Sequence, residues 1–297
     1  MTELIKKRQN LFSNTLHLDI LRMKKYSGFG QFFACFTSPE FFDDAKKRAL
    51  FAFHNFINEI EKNSKYIMLV KNFNEFTQAI EQNKIAAFFS LEGGEPIEEI
   101  FDVELFYNMG VRMIALTWNY DNKLASGVLG NDDRGLTEFG KKVVLKMNEL
   151  GIVADVSHLN EKSFWEVSEI SKYPLTASHS NSYYVCKNKR NLTDCQFKRI
   201  LDTGGYVGIN LYPPFLTDLK HAKVSDILLH IEHFLALGGE DIIGFGCDFD
   251  GVDKLPIAIN GIENIYCIIN EMQKIGYSED LIEKITHKNC EKIIKLF

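Results

Sequence analysis

The chain has 297 residues, 45% of them hydrophobic, with a net charge of -6 and a pI near 5.8. This length and composition suit a substantial core, and the acidic balance argues against nucleic acid or an anionic membrane as the main partner. No uncharged apolar run approaches the roughly 20 residues that cross a bilayer, no signal-type apolar core follows the polar stretch Met1–Asn10, and the six scattered cysteines form no CxxC pair, so they read as reduced packing residues of a cytoplasmic protein.

In chain order, Leu16-His17-Leu18-Asp19-Ile20 alternates apolar and polar residues, which predicts a strand with His17 and Asp19 on one face. An imidazole and a carboxylate side by side can share a divalent cation, and H-x-D equally fits a hydrogen-bonded surface pair. Gly28–Phe36 is a second apolar run. Pro39 to Asn63 reads as helix, with Phe41, Ala45, Leu50, Phe53, Phe56, Ile57 and Ile60 at helical spacing. Tyr66–Val70 precedes a helix from Asn74 to Asn83, with Asn74 as its N-cap. Lys84–Leu91 is continuously apolar, as in strands buried on both faces, and stops at Glu92-Gly93-Gly94.

The alternation then repeats. Helix Pro96–Asn108 precedes strand Val111–Thr117, and helix Thr137–Leu150 precedes strand Ile152–Ser157. Helix Glu161–Ser171 leads to strand Leu175–Ser178, helix Thr193–Asp202 to strand Tyr206–Leu211, and helix Ser225–Leu237 to strand Ile242–Gly246. Ile262–Ile275 and Ser278–Leu296 read as C-terminal helices. About eight strands, nearly all followed by a helix, predict a (β/α)8 TIM barrel forming a single domain over residues 1–297. The competing doubly wound sheet lacks a Gly-rich fingerprint after its first strand.

Strand C-termini of such a barrel share one mouth. Those ends carry His17, Asp19, Glu92, His158, His179 and Asp248. Each taken alone fits a cap or a satisfied core group; six in one inferred geometry point to a site. His230 and His233 lie at i, i+3, but the apolar residues around them define the opposite, buried side, so both read as surface-facing. His54 reads as packing, and His221 and His287 have no partner motif. Three imidazoles with several carboxylates suit zinc better than calcium or magnesium. Five ligands suit two ions sharing one carboxylate, roughly 3.5–4 Å apart, with an activated water between them.

These residues sit within longer motifs: Ser90-Leu91-Glu92-Gly93-Gly94, Gly110-Val111-Arg112, Leu116-Thr117, Gly135-Leu136-Thr137-Glu138-Phe139-Gly140 and Asp155-Val156-Ser157-His158. Ser178-His179-Ser180, Lys189-Arg190-Asn191-Leu192, Asn210-Leu211-Tyr212-Pro213-Pro214 and Gly246-Cys247-Asp248-Phe249-Asp250-Gly251 follow. In this order they resemble the membrane dipeptidase (renal dipeptidase) family of zinc metallopeptidases, in the amidohydrolase-type barrel group, over nearly the whole chain. The resemblance implies that His17, Asp19 and Glu92 hold one zinc ion, and that Glu92, His158 and His179 hold the second. It implies that Asp248 handles protons, a choice over Asp250 that spacing alone leaves open, and that Arg190 binds the substrate's terminal carboxylate. Without the family, Arg190 reads equally as an exposed loop arginine.

Two positions depart from the family pattern. Thr15 stands where better-known members have an aspartate, and Trp118 stands where mammalian-type members have a histidine near the scissile carbonyl. The implied activity is hydrolysis of dipeptides by a metal-bridging hydroxide, with Asp248 as base and then acid. Two other readings stay open: a dimetal amidohydrolase acting on another amide, a lactam or a phosphoester, and a catalytically silent barrel used for binding. Aromatic content around Phe41–Phe56 is compatible with a homodimer.

Overall fold

The computed structural model describes residues 1–297 and divides into two compact units. The first comprises Met1–Thr15, Asp19–Tyr173 and Lys295–Phe297; the second comprises Leu16–Leu18 and Pro174–Ile294.

In the first unit, β1 (Gly30–Phe36), β2 (Ile67–Leu69), β3 (Ile85–Glu92), β4 (Val111–Ala115) and β5 (Val153–Asp155) are all parallel. β3 pairs with β1, β2 and β4, and β4 pairs with β5. β3 is buried along almost its whole length, as its unbroken apolar run predicts. Phe89 meets Phe53 and Phe56 of the helix Ala45–Lys62, at centroid distances of 5.1 and 5.8 Å. The register Phe36↔Glu92, Glu92↔Ala115 and Ala115↔Asp155 sets Glu92 at the C-terminal edge, level with the end of β5.

In the second unit, β6 (Thr176–Ala177), β7 (Tyr206–Ile209) and β8 (Ile243–Phe245) are again parallel, β7 pairing with both neighbours. The helices Asp194–Asp202 and Val224–Ala236 meet through Phe197 and Phe234, stacked 4.1 Å apart. Gly208 and Gly246 are required here, because a Cβ on either would run into the carbonyl oxygen of Ser178, the residue that delivers His179.

Several sequence expectations shift. Leu16–Ile20 is not a strand: Asp19 caps the helical turn Ile20–Met23, accepting from Arg22 N at 2.9 Å. Local capping outweighs the alternating pattern there. Pro39–Asp44 is a separate 3-10 turn ahead of the helix Ala45–Lys62, and Asn72, not Asn74, caps the helix Phe73–Glu81. Thr137, Asn160 and Thr193 cap theirs through their side chains. No helix is long and apolar enough to cross a membrane.

Candidate active site

Glu92 and His158 come together in the first unit, with His158 Nε2 3.2 Å from Glu92 Oε1. Each offers a metal-capable ligand atom. His158 reaches this position by a turn that its own motif builds: Asp155 Oδ1 accepts from the amide of Ser157 at 3.0 Å and from its hydroxyl at 2.6 Å, folding the chain just past β5. The ring is buried, and its Nδ1 lies 2.9 Å from Asn119 Oδ1. Nε2 is therefore the ring atom turned to the carboxylate.

Asp19 is buried and heavily engaged. Its Oδ1 accepts from Arg22 N, and its Oδ2 accepts from Asn14 N at 3.1 Å and Arg22 Nε at 3.0 Å. Thr15 sits in a reciprocal pair with Gln9, donating its amide to Gln9 Oε1 and accepting from Gln9 Nε2, both at 2.7 Å.

Sequence reasoning passed over Glu95. Burial raises its pKa, while Asn122 Nδ2 donates to its Oε1 at 3.0 Å. Trp118, at the histidine position of the family pattern, packs against Phe36 and Tyr120, with centroids 5.0 and 5.6 Å away. Arg112, part of a family-type motif, has a structural part instead: it is buried and donates to the carbonyls of Lys71, Tyr107 and Val111.

In the second unit, His17 and Asp250 hold each other. The His17 amide donates to Asp250 Oδ1 at 2.6 Å, and the Asp250 amide donates to His17 Nδ1 at 3.0 Å. Asp250 thus does more than serve the turn before Gly251. The buried His179 has its Nδ1 2.6 Å from Ser178 Oγ. Asp248 Oδ2 accepts from Asn210 Nδ2 at 3.1 Å. Asn210, fully buried, is itself fixed: its amide donates to Asn181 Oδ1, and its own Oδ1 accepts from Tyr212 N. It was visible in the sequence only as part of a motif, with no signal of its own.

Arg190 is 7% exposed, with its guanidinium 5.4 Å from the Phe215 ring centroid, so the exposed-loop reading fails. The remaining histidines differ in part from expectation. His230 is fully buried, not surface-facing, accepting from Ser182 N and facing Leu216 O, each at 3.0 Å. Burial pushes its pKa down to about 4. His233 pairs with Asp194 at 2.8 Å and stacks on Tyr184. His54 is exposed, not packed. Burial pushes the Cys35 thiol up to about 12, which keeps it protonated, in line with a packing role.

A family model described as membrane dipeptidase (peptidase family M19) matches residues 2–296. An uncharacterized dipeptidase of Schizosaccharomyces pombe is 28% identical over 300 residues, which is 95% of this chain and 72% of that protein. Among solved structures, dipeptidase AC, a metallo peptidase of family M19, matches with a TM-score of 0.91 at 29% identity, covering 99% of this chain and 95% of that one. A metallo peptidase from Rhodobacter sphaeroides, liganded with a phosphinate mimic of the dipeptide L-Ala-D-Ala, matches with a TM-score of 0.87 at 28% identity, covering 95% and 91%. The fold class is accordingly mixed α/β with parallel strands, TIM-barrel-like.

Proposed function

The chain belongs to the membrane dipeptidase family, peptidase family M19, and from that membership we propose how its own residues carry the reaction. It is a metallo-dipeptidase. We assign His17, Asp19, Glu92, His158 and His179 as ligands of two zinc ions or similar divalent transition metals, with Glu92 shared, in a chain that works as one barrel domain. The observation that carries this assignment is the Glu92–His158 pair, a carboxylate oxygen and an imidazole nitrogen 3.2 Å apart. Mixed nitrogen and oxygen donors fit zinc better than the all-oxygen sets of calcium and magnesium.

Divalent ions bound there supply Lewis acidity toward a carbonyl oxygen and lower the pKa of water. The chain's own groups do the rest. Asp248 takes the proton of the attacking water and returns it to the leaving amine, with Asn210 holding its Oδ2. Arg190 binds the terminal carboxylate of the dipeptide, since its planar fork matches that anion bidentately. Its burial beside Phe215 supports this role, because a charge pair is stronger where water is scarce. The phosphinate mimic of L-Ala-D-Ala in the Rhodobacter sphaeroides relative supports testing L,D- as well as L,L-dipeptides. A cytoplasmic location fits the six free cysteines, and a homodimer fits the exposed Phe51 and Phe101.

Metal analysis joined to a panel of L,L- and L,D-dipeptides tests the reading. The expected result is about two zinc ions per chain, hydrolysis of free dipeptides and poor turnover of their C-terminal amides. A chain that binds no divalent metal, or that cleaves amidated dipeptides equally well, overturns the assignment of ligands or of Arg190 respectively. Turnover confined to lactams or phosphoesters moves the chain to the broader amidohydrolase reading.

A further inference from the structure

We propose that Asn119 is the positioning residue of His158, its side-chain carbonyl fixing the imidazole with the proton on Nδ1 and the Nε2 lone pair toward Glu92. This inference rests on the reading of His158 as a metal ligand and deepens it.

The segment that follows β4 holds His158 at several points. Asn119 Oδ1 lies 2.9 Å from Nδ1. The His158 carbonyl accepts from Val128 N at 2.9 Å and from the Thr117 hydroxyl at 3.4 Å. The Trp118 indole lies beside the ring, with centroids 6.3 Å apart. Asn119 is itself anchored, its backbone carbonyl accepting from Leu129 N at 2.7 Å.

The chemistry follows from donor and acceptor counts. An amide oxygen only accepts, and a neutral imidazole carries one N–H. An oxygen facing Nδ1 therefore places the proton there and leaves Nε2 as an acceptor. Nε2 then faces Glu92 Oε1 at 3.2 Å, lone pair to lone pair. That arrangement favours a cation held by both atoms. Partners on the far ring nitrogen of a ligating histidine orient the ring and raise its basicity, and their loss typically weakens metal binding by about 10–100-fold.

The test compares Asn119→Leu, which keeps the volume and loses the acceptor, with Asn119→Asp, which keeps an acceptor. Zinc affinity by chelator competition should fall ~10–100-fold in Asn119→Leu and stay within ~3-fold of wild type in Asn119→Asp. In the zinc-loaded wild-type protein, proton NMR should show a slowly exchanging downfield His158 Nδ1–H resonance. Wild-type zinc affinity in Asn119→Leu, or equal weakening in both variants, overturns the proposal. If Asn119→Leu fails to fold, the wild-type spectrum decides, and absence of the protected Nδ1–H resonance is the overturning result. His158→Ala separates this role from the ligand assignment. Unchanged zinc affinity there sinks the ligand reading, whereas weakened affinity there with wild-type affinity in Asn119→Leu sinks only the positioning role.

Discussion

Asp248 has φ near +58°, and Asp250 has φ near +69°. Left-handed backbone costs a non-glycine residue roughly 1–2 kcal/mol, and it is met here by a turn closed from Gly251 N to Asp248 O at 3.0 Å. The same strained turn presents the Asp248 carboxylate to Asn210 and the Asp250 carboxylate to the His17 amide. Strain of this kind concentrates where a side chain must be aimed. Asparagine tolerates the left-handed region as well as aspartate does, so Asp248→Asn keeps the turn and removes the acid–base group. Its turnover of dipeptides should fall by about 10²–10⁴-fold, with zinc content and melting temperature at wild-type values. Undiminished turnover with metal retained takes the proton-handling role away from Asp248.

The long connection between β4 and the helix Glu138–Leu150 is a rim loop without regular structure, yet it is densely bonded. Asn122 Oδ1 accepts from the amides of Leu124 and Ala125, while its Nδ2 reaches Glu95 and the Leu116 carbonyl. Asp121 accepts from Asn131 N. Asn160 has two tasks: its Oδ1 caps the helix Glu161–Ile170 through Ser163 N, and its Nδ2 donates to the carbonyls of Asn131 and Arg134, each at 2.8 Å. Asn160→Ala removes the cap and both loop bonds, with an expected loss of about 2–3 kcal/mol. Asn160→Ser keeps the cap and should lose about half of that. Urea denaturation checks both: equal stability of the two variants would show that the cap contributes nothing, and wild-type stability in Asn160→Ser would show that the loop bonds contribute nothing.

For the molecule as a whole, His230 ties stability to pH. Its Nδ1 accepts from Ser182 N, so the neutral ring directs its Nε2–H to the Leu216 carbonyl. Burial pushes its folded pKa down to about 4 from the usual 6.5. The unfolded chain therefore binds this proton more readily, and stability rises with pH across the interval from 4 to 6.5. Going down, the loss begins near pH 6.5 and reaches about 3 kcal/mol once pH 4 is approached. His230→Gln, which offers a donor and an acceptor without the charge change, should flatten that slope. Urea midpoints at pH 7.5 and pH 5, recorded with chelator present, measure it, and identical slopes in the two proteins would rule His230 out as the source.

The alternation of strands and helices, the apolar β3 that ends at Glu92, and the order of motifs that marks the family are all written in the amino-acid order. These are local properties: periodicity, caps and short motifs are written within a few neighbouring residues, which is why Thr137 and Thr193 appear as helix starts before any fold is known. What each polar side chain meets depends on segments far apart in the chain and is fixed only by the fold. Alternation in Leu16–Ile20 promised a strand, but the Asp19 carboxylate found Asn14 and Arg22 and capped a helical turn instead. His230 looked exposed because its helical face is apolar only in part, and its burial depends on Ser182 and Leu216, 48 and 14 residues away. Asn119 and Asn210 carry no motif chemistry of their own, since an amide acquires a function only from the group it faces, and that group comes from a distant part of the chain: His158 in one case, Asp248 in the other.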